Sequence, residues 1–190
     1  MIPEVDLIFA LSASSSDANT NFQRMKQIFK AMIDTYGRDQ VNYSLITFGE
    51  TPSVKIRFSD SFSTDEELKN LVDAVPRSSG SPALAETMNV AEKLFKGGTS
   101  RDTATKILVI MMDNKSGSAA KDVKEKGKSL DESGVRVIAV GVGDQFDATE
   151  LNRTTPYKKD IISTSKTNDP EQIAKKILTK GLEKRKFVFT

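Results

Sequence analysis

The chain has 190 residues, of which 37% are hydrophobic and 28% are charged, and its formal net charge is +2. This composition is typical of a soluble globular protein, and the length favours one domain over two. The near-neutral charge creates no overall field that would attract nucleic acid or an anionic membrane. Cysteine and histidine are both absent. Their absence excludes disulfides, thiol nucleophiles, zinc sites built on Cys or His, and a Ser-His-Asp triad.

The amino-terminal stretch predicts a buried strand, a polar loop and a helix, in that order. Residues 5–11 are apolar except for Asp6, a pattern typical of a strand covered on both faces. A hydroxyl-rich segment follows over residues 12–17, and apolar residues at helical spacing from Phe22 to Tyr36 predict a helix that ends at Gly37. This order places a loop at the carboxyl end of a buried strand, where open α/β sheets bind their ligands.

The rest of the chain alternates between strand and helix patterns. Strands are predicted over 41–48, 54–58, 106–113, 135–144 and 160–162, and helices over 64–75, 84–95, 119–133, 148–153 and from Pro170 onward. This order predicts an α/β fold: a doubly wound, Rossmann-like sandwich with a six-stranded, mostly parallel sheet, one antiparallel edge strand and helices on both faces. Because no linker or repeat interrupts the pattern, we expect a single domain over residues 1–190, with its core at about 4–184.

Three polar loops are expected to converge at the carboxyl edge of this sheet: residues 12–17, 78–82 and 113–118. The Ser-x-Ser after the first strand, Asp113 before a Lys-rich helix, and the stretch from Ser133 to Gly143 together resemble the von Willebrand factor type A domain. The resemblance extends from Glu4 to about Lys184. It implies the same doubly wound fold and a non-enzymatic binding function.

The family carries a metal-ion-dependent adhesion site, built from Asp-x-Ser-x-Ser, a threonine from a mid-chain loop and a later aspartate. The resemblance implies that Ser14, Ser16 and Asp113 are the corresponding metal ligands. Ser81 stands where the threonine is expected, with Pro82 as the alternative alignment. Ser12 replaces the first aspartate, and Asn114 replaces the glycine that usually follows the later aspartate.

The loss of the first aspartate predicts a degenerate metal site. Magnesium prefers six oxygen ligands, and much of its affinity comes from attraction to carboxylates. With Ser12 supplying only a hydroxyl, we expect no cofactor, or magnesium that binds weakly. Asp17 is an alternative source of charge, but at a helix start it is better suited to capping. The serines have a structural interpretation as well, as partners for free helix amides, and Gly141-x-Gly143 is better explained as a turn than as a dinucleotide loop.

The resemblance to the A domains of collagen VI and matrilins implies a secreted adhesion or scaffolding module of an extracellular-matrix protein. Matrix proteins such as collagen, or other chains with A domains, are the expected partners, bound without metal or with weak magnesium. Three sequons, at Asn42, Asn114 and Asn152, are consistent with secretion.

Other partners and functions remain open from the sequence. The Lys-rich carboxyl-terminal helix is the candidate for contact with a glycosaminoglycan or other polyanion, although a plain soluble helix that leads into a linker is the better interpretation. Acidic residues among the lysines of 119–133 predict a solvated face. We expect no nucleic-acid partner and no membrane insertion. The alternative functions are an intracellular A-type interaction module, and a Rossmann-like domain that binds a nucleotide or phosphate at the loop over residues 12–17.

Overall fold

The computed structural model describes residues 2–13 and 18–184, which contain one six-stranded sheet with the order β3-β2-β1-β4-β5-β6. All neighbouring pairs are parallel except β2 and β3, which form an antiparallel hairpin at one edge. The predicted architecture is therefore confirmed. The strands are β1 (Val5–Ser12), β2 (Val41–Phe48), β3 (Pro52–Ile56), β4 (Thr105–Met112), β5 (Val135–Gly141) and β6 (Ile161–Ser163).

In the described part of the chain, six helices cover the two faces of the sheet, and two short 3-10 turns flank β6. Apolar side chains of α1, α2 and α6 pack in the core on one face, and those of α3, α4 and α5 pack in the core on the other. The helices are α1 (Ala18–Tyr36), α2 (Asp65–Ala74), α3 (Leu84–Lys96), α4 (Ala120–Glu132), α5 (Ala148–Thr154) and α6 (Pro170–Leu182); the 3-10 turns are Lys158–Asp160 and Thr164–Lys166.

Strand β1 lies at the centre of the sheet, between β2 and β4, and every one of its residues is buried. Successive side chains of a strand point to opposite faces. Leu7, Phe9 and Leu11 accordingly pack in one core, and Ile8 and Ala10 pack in the other. The continuous apolar run in the sequence thus reflects a strand with two buried faces.

Local signals in the sequence account for most helix boundaries. Gly37 and Gly134 follow α1 and α4 with φ values of 64° and 85°, in the left-handed region that favours glycine. The Thr64 hydroxyl accepts the backbone N–H of Glu67 at 3.1 Å, and Asp169 caps α6 ahead of Pro170. Each of these residues closes a helix end that would otherwise leave backbone groups without partners.

The edge hairpin differs from its prediction by two residues. The alternating pattern predicts a strand over 54–58, but β3 pairs with β2 over 52–56, and its register shifts at a bulge between Leu45 and Ile46. Beyond the pairing, Phe58 packs in the core against the ring of Phe95, at 5.7 Å between centroids. In residues 2–13 and 18–184, no helix has the length and apolarity needed to cross a membrane.

Candidate functional site

The three predicted loops meet at the carboxyl ends of β1 and β4, which are neighbours in the sheet. The backbone N–H of Ser78 donates to the Ala13 carbonyl at 3.1 Å, and the N–H of Gly117 donates to the Pro82 carbonyl at 3.0 Å. The second loop therefore bridges the first and the third. We call this meeting point of residues 12–13, 78–82 and 113–118 the loop junction.

Asp113 directly follows β4, and its side chain is enclosed at the junction with only 2% of the residue exposed. The Asn21 amide of α1 donates to one oxygen of the Asp113 carboxylate at 3.4 Å. Strand β4 is held beside β5 up to this point, because the Val142 N–H donates to the Met112 carbonyl at 2.8 Å. The later aspartate of the predicted site is thus held between a strand end and the first turn of α1.

Ser12 and Asn114, the two residues that depart from the family pattern, contact each other. Ser12 ends β1 and is 1% exposed, and its hydroxyl donates to the side-chain oxygen of Asn114 at 3.5 Å. This distance is at the long limit for a hydrogen bond, so the contact is weak. An uncharged hydroxyl–amide pair therefore occupies the place where the family pattern has an aspartate and a glycine.

Ser81 is exposed and lies against the third loop. A Cβ atom added to Gly117 would approach the Ser81 hydroxyl to 2.7 Å, so the absence of a side chain at Gly117 permits this contact. Gly80, with φ at 83°, shapes the turn that presents Ser81.

The structure thus brings Ser12, Ser81 and Asp113 to one junction. The predicted ligands Ser14 and Ser16, and Asp17 with them, lie outside the described residues.

Glu150 supports the junction and was not anticipated from the sequence. It lies on α5 and is 3% exposed, and its carboxylate accepts both the backbone N–H of Ser116, at 2.8 Å, and the Ser116 hydroxyl. The Ser118 N–H donates in turn to the Ser116 hydroxyl at 3.1 Å. The only signal in the sequence is an acid beside Leu151 on a seven-residue helix, which does not reveal a partner 34 positions away.

The glycine-rich exit of β5 has the structural function that the sequence favours. Gly143 has φ at 75°, and a Cβ atom there would lie 2.9 Å from the Asn21 amide nitrogen. Its backbone N–H donates to the Thr164 hydroxyl at 3.1 Å. The glycine lets α1 approach the strand exit closely, which in turn places Asn21 beside Asp113.

Among the described residues, the oxygen donors at the junction match magnesium in atom type, and they include one carboxylate. Asp113 and the hydroxyls of Ser12 and Ser81 are oxygen donors, the kind of ligand that magnesium prefers. In the part of the chain that the structure describes, no group of three or more acidic side chains is gathered in a way that could hold a metal ion. Among the described residues, Asp113 is the carboxylate through which a cation would bind here.

Comparisons with known proteins support the fold and the family resemblance described above. The model of the von Willebrand factor type A domain matches residues 6–177. Integrin alpha-M of Mus musculus is 25% identical over 79% of this chain, and the Collagen alpha-4(VI) chain of Mus musculus is 23% identical over 93%. These matches span 13% and 8% of those two proteins, so the chain corresponds to a small part of each.

A solved structure of similar fold is proximal thread matrix protein 1 from the mussel byssus, with a zinc-occupied metal-ion-dependent adhesion site (MIDAS) motif. It is 26% identical, with a TM-score of 0.80, over 94% of this chain and 48% of that chain. The relatives are thus matrix and cell-surface proteins. With its doubly wound sheet, its loop junction and a family model that matches most of its length, the chain belongs to the von Willebrand factor type A domain family.

Proposed function

We propose that this chain is a non-enzymatic adhesion and scaffolding module of a secreted extracellular-matrix protein, and that it binds matrix proteins such as collagen without requiring a metal ion. The observation that carries the metal-independent part is the pairing of Ser12 with Asn114 at the loop junction. This uncharged pair leaves Asp113 as the carboxylate that the described residues offer there. The adhesive part is supported by the kinship with integrin alpha and collagen VI chains.

The physical reason for weak metal binding is the charge of the ligand set. Asp113 and Ser81 would hold a magnesium ion together with Ser14 and Ser16, which the family resemblance assigns as ligands. One carboxylate and several neutral hydroxyls attract a divalent cation less than two carboxylates do. A bound ion supplies an open coordination position for a partner's carboxylate. Without a metal ion, the domain would bind its partner through side chains on its own surface.

The test is a binding measurement on immobilised collagen, with the domain in excess EDTA and then in excess magnesium. We expect dissociation constants that agree within about twofold, a free-energy difference well below the 1.4 kcal/mol of a tenfold change. Asp113→Asn keeps the shape of the side chain and removes its charge, and it should leave the affinity equally unchanged. A tenfold or greater loss in EDTA contradicts metal independence, and no binding under either condition contradicts collagen as the partner.

Restoring the missing charge provides a direct test of the degenerate site. Ser12→Asp places a second carboxylate at the junction near Asp113, and we expect magnesium to bind more tightly to this variant than to the wild type. Without metal, two close carboxylates repel, so the melting temperature in EDTA should fall and then recover when magnesium is added.

Ser12→Asn is the matched control, since it has the size of the aspartate without its charge. Its melting temperature should not respond to magnesium. The degenerate site is contradicted if calorimetric titration of the wild type gives magnesium binding with a micromolar or tighter dissociation constant.

A further inference from the structure

Helix α4 and the segment that follows α5 enclose an open groove of about 810 Å³, away from the loop junction. Five of its lining side chains are basic and one is acidic. One wall belongs to α4 and the other to the end of α5 and the first 3-10 turn. The basic residues are Lys121, Lys124, Lys128, Arg153 and Lys158, the acidic residue is Glu125, and Asn152, Thr155 and Pro156 complete the lining.

The lysines of α4 form a stripe along the groove. Lys121, Lys124 and Lys128 are separated by three and four residues, so they share one face of the helix and span about 10 Å along its axis. Arg153 and Lys158 bring positive charge to the opposite wall. A linear ligand in this groove would meet cations on both sides.

The walls of the groove are fixed relative to each other by a close backbone approach. A Cβ atom at Gly127 of α4 would lie 2.5 Å from the Thr154 carbonyl oxygen, so a glycine is needed for the two segments to pack as they do. Thr154 is fully buried, and its hydroxyl donates to the Leu151 carbonyl at 2.7 Å. The packing of these two segments therefore fixes the positions of the charged residues on the two walls.

The positive charge of the groove is poorly compensated. Lys121 and Lys128 lie 3.8 and 3.5 Å from Glu125 and Glu132, in exposed pairs that are weak in water. Within residues 2–13 and 18–184, Lys124, Arg153 and Lys158 form no ion pair. An uncompensated set of this kind attracts anions and releases counterions when a polyanion binds.

The carboxyl-terminal helix, which the sequence offers as the candidate for such contact, has more of its charge engaged. Lys175 pairs with Glu171 at 2.5 Å, and Lys180 donates to the Lys159 carbonyl. Lys159 itself pairs with Glu183 at 2.8 Å. Two lysines of α6, Lys175 and Lys180, thus have partners, whereas three of the five basic residues of the groove form no ion pair among the described residues.

We propose that the groove between α4 and the end of α5 binds a sulfated polysaccharide chain. Lysine and arginine side chains on both walls suit a linear polymer that carries an anionic group on successive sugars. The choice of a polysaccharide among polyanions rests on the proposed extracellular function, because sulfated polysaccharides are polyanions of that compartment. The attraction of the basic groove for a polyanion does not depend on the extracellular function.

The test measures the affinity of immobilised heparin for the domain. The domain is prepared without N-glycans, so that no glycan on Asn152 covers the groove that this residue lines. The variant is Lys124→Gln/Lys128→Gln, and the matched control is Lys175→Gln/Lys176→Gln, with the same change of charge on α6. We expect the groove variant to bind about tenfold more weakly and the control to stay within about twofold of wild type. The dependence of log affinity on log salt should become shallower by roughly 1.5–2 for the groove variant only, because two charges are removed.

Several outcomes would overturn this assignment. Undetectable heparin binding by the wild type, or an equal loss in both variants, contradicts a specific groove. Unchanged affinity for desulfated heparin contradicts recognition of sulfate, and equal or tighter binding to polyglutamate or to anionic vesicles assigns the groove to an acidic protein or a membrane instead. Collagen binding by the groove variant should remain at the wild-type level, which separates a failure here from a failure of the proposed adhesive function.

Discussion

Glu150 shows how one buried carboxylate can organise a loop that carries a functional side chain. Its two oxygens accept the N–H and the hydroxyl of Ser116, three residues after Asp113. The Ser118 hydroxyl then accepts the Ala85 N–H at 3.0 Å, which links the same loop to α3. The position of the third loop therefore depends on residues from two helices that contribute nothing to the predicted ligand set.

We expect Glu150→Gln to lower the free energy of unfolding by about 1–3 kcal/mol, because a buried donor loses its acceptor. Glutamine keeps only one of the two carboxylate oxygens and has no charge, so the Ser116 N–H and hydroxyl can no longer each donate to a charged oxygen of their own. Urea denaturation followed by circular dichroism measures the effect. Glu125→Gln, on the surface of α4, is the control and should change stability by less than about 0.5 kcal/mol. Equal stabilities of the two variants would contradict the role assigned to Glu150.

At the scale of elements, the packing of α4 against α5 depends on Gly127. Alanine is a better helix former than glycine, so propensity alone predicts that Gly127→Ala stabilises α4. The added methyl group would lie 2.5 Å from the Thr154 carbonyl oxygen, and because this atom is backbone, the two helices must move apart.

We therefore expect Gly127→Ala to lower the free energy of unfolding by about 1–3 kcal/mol, the usual cost of overpacking. Gly98→Ala is the matched control, since a Cβ atom there would meet nothing within 4 Å. It should leave stability unchanged or raise it slightly, because alanine reduces the entropy of the unfolded chain. Thermal unfolding of both variants tests the comparison, and a stabilised Gly127→Ala would contradict the close approach.

Helices α3 and α4 are joined by an electrostatic contact at Glu92. Its carboxylate accepts from Lys96 at 2.9 Å, from Lys126 at 3.3 Å and from the Ser129 hydroxyl at 3.0 Å. The hydrogen bond from Lys96 is the main cause that lowers the pKa of Glu92, with Ser129 and Lys126 adding to it, while burial opposes the shift. The ionised form is thus favoured by folding.

A lowered pKa in the folded state fixes the direction of the pH effect. The stabilisation from Glu92 should be fully present above its unfolded pKa of about 4.3 and should be lost as the pH falls through the lower folded value. Stability of the wild type and of Glu92→Gln, measured by urea denaturation from neutral pH down to strongly acidic pH, checks this. The difference between the two proteins should shrink at the acidic end, and a constant difference would contradict the assignment.

On the scale of the whole molecule, an ion pair between a buried aspartate and a half-buried arginine holds the starts of the central strands together. Asp6 in β1 is fully buried and receives the Arg101 guanidinium at 2.8 Å, the Arg101 N–H at 2.6 Å and the Ser100 hydroxyl at 3.0 Å. Arg101 also donates to the carbonyls of Val5 and Gln40, at 2.7 and 3.4 Å. The segment before β4 thus anchors the starts of β1 and β2.

We expect Arg101→Met to lower the free energy of unfolding by about 3 kcal/mol, since it leaves the Asp6 charge buried without its main partner. The double variant Asp6→Asn/Arg101→Met should recover part of this loss, because it removes the unpaired charge. Lys121→Met is the surface control; its ion pair with Glu125 is exposed and should contribute little. Equal effects of Arg101→Met and Lys121→Met in denaturant titrations would contradict this account.

The order of elements and the faces they bury could be derived from the sequence, because periodicity, caps and glycines act over a few residues. The apolar run of β1, the stop at Gly37 and the Asp169–Pro170 start of α6 each carry their signal locally. The same holds for the expectation that three loops converge, since the carboxyl ends of parallel strands meet at one edge. The single domain over residues 1–190 and the ligand set stay predictions.

Tertiary structure alone decided which distant side chains meet. The Ser12–Asn114 contact, the clamp of Glu150 on Ser116 and the basic groove of α4 join residues 102, 34 and about 30 positions apart. No local pattern encodes such pairs, because they depend on how elements pack after the chain has folded. The lysines of α4 illustrate this: the sequence presents them among acids as a solvated face, and packing against the end of α5 gathers them with Arg153 and Lys158.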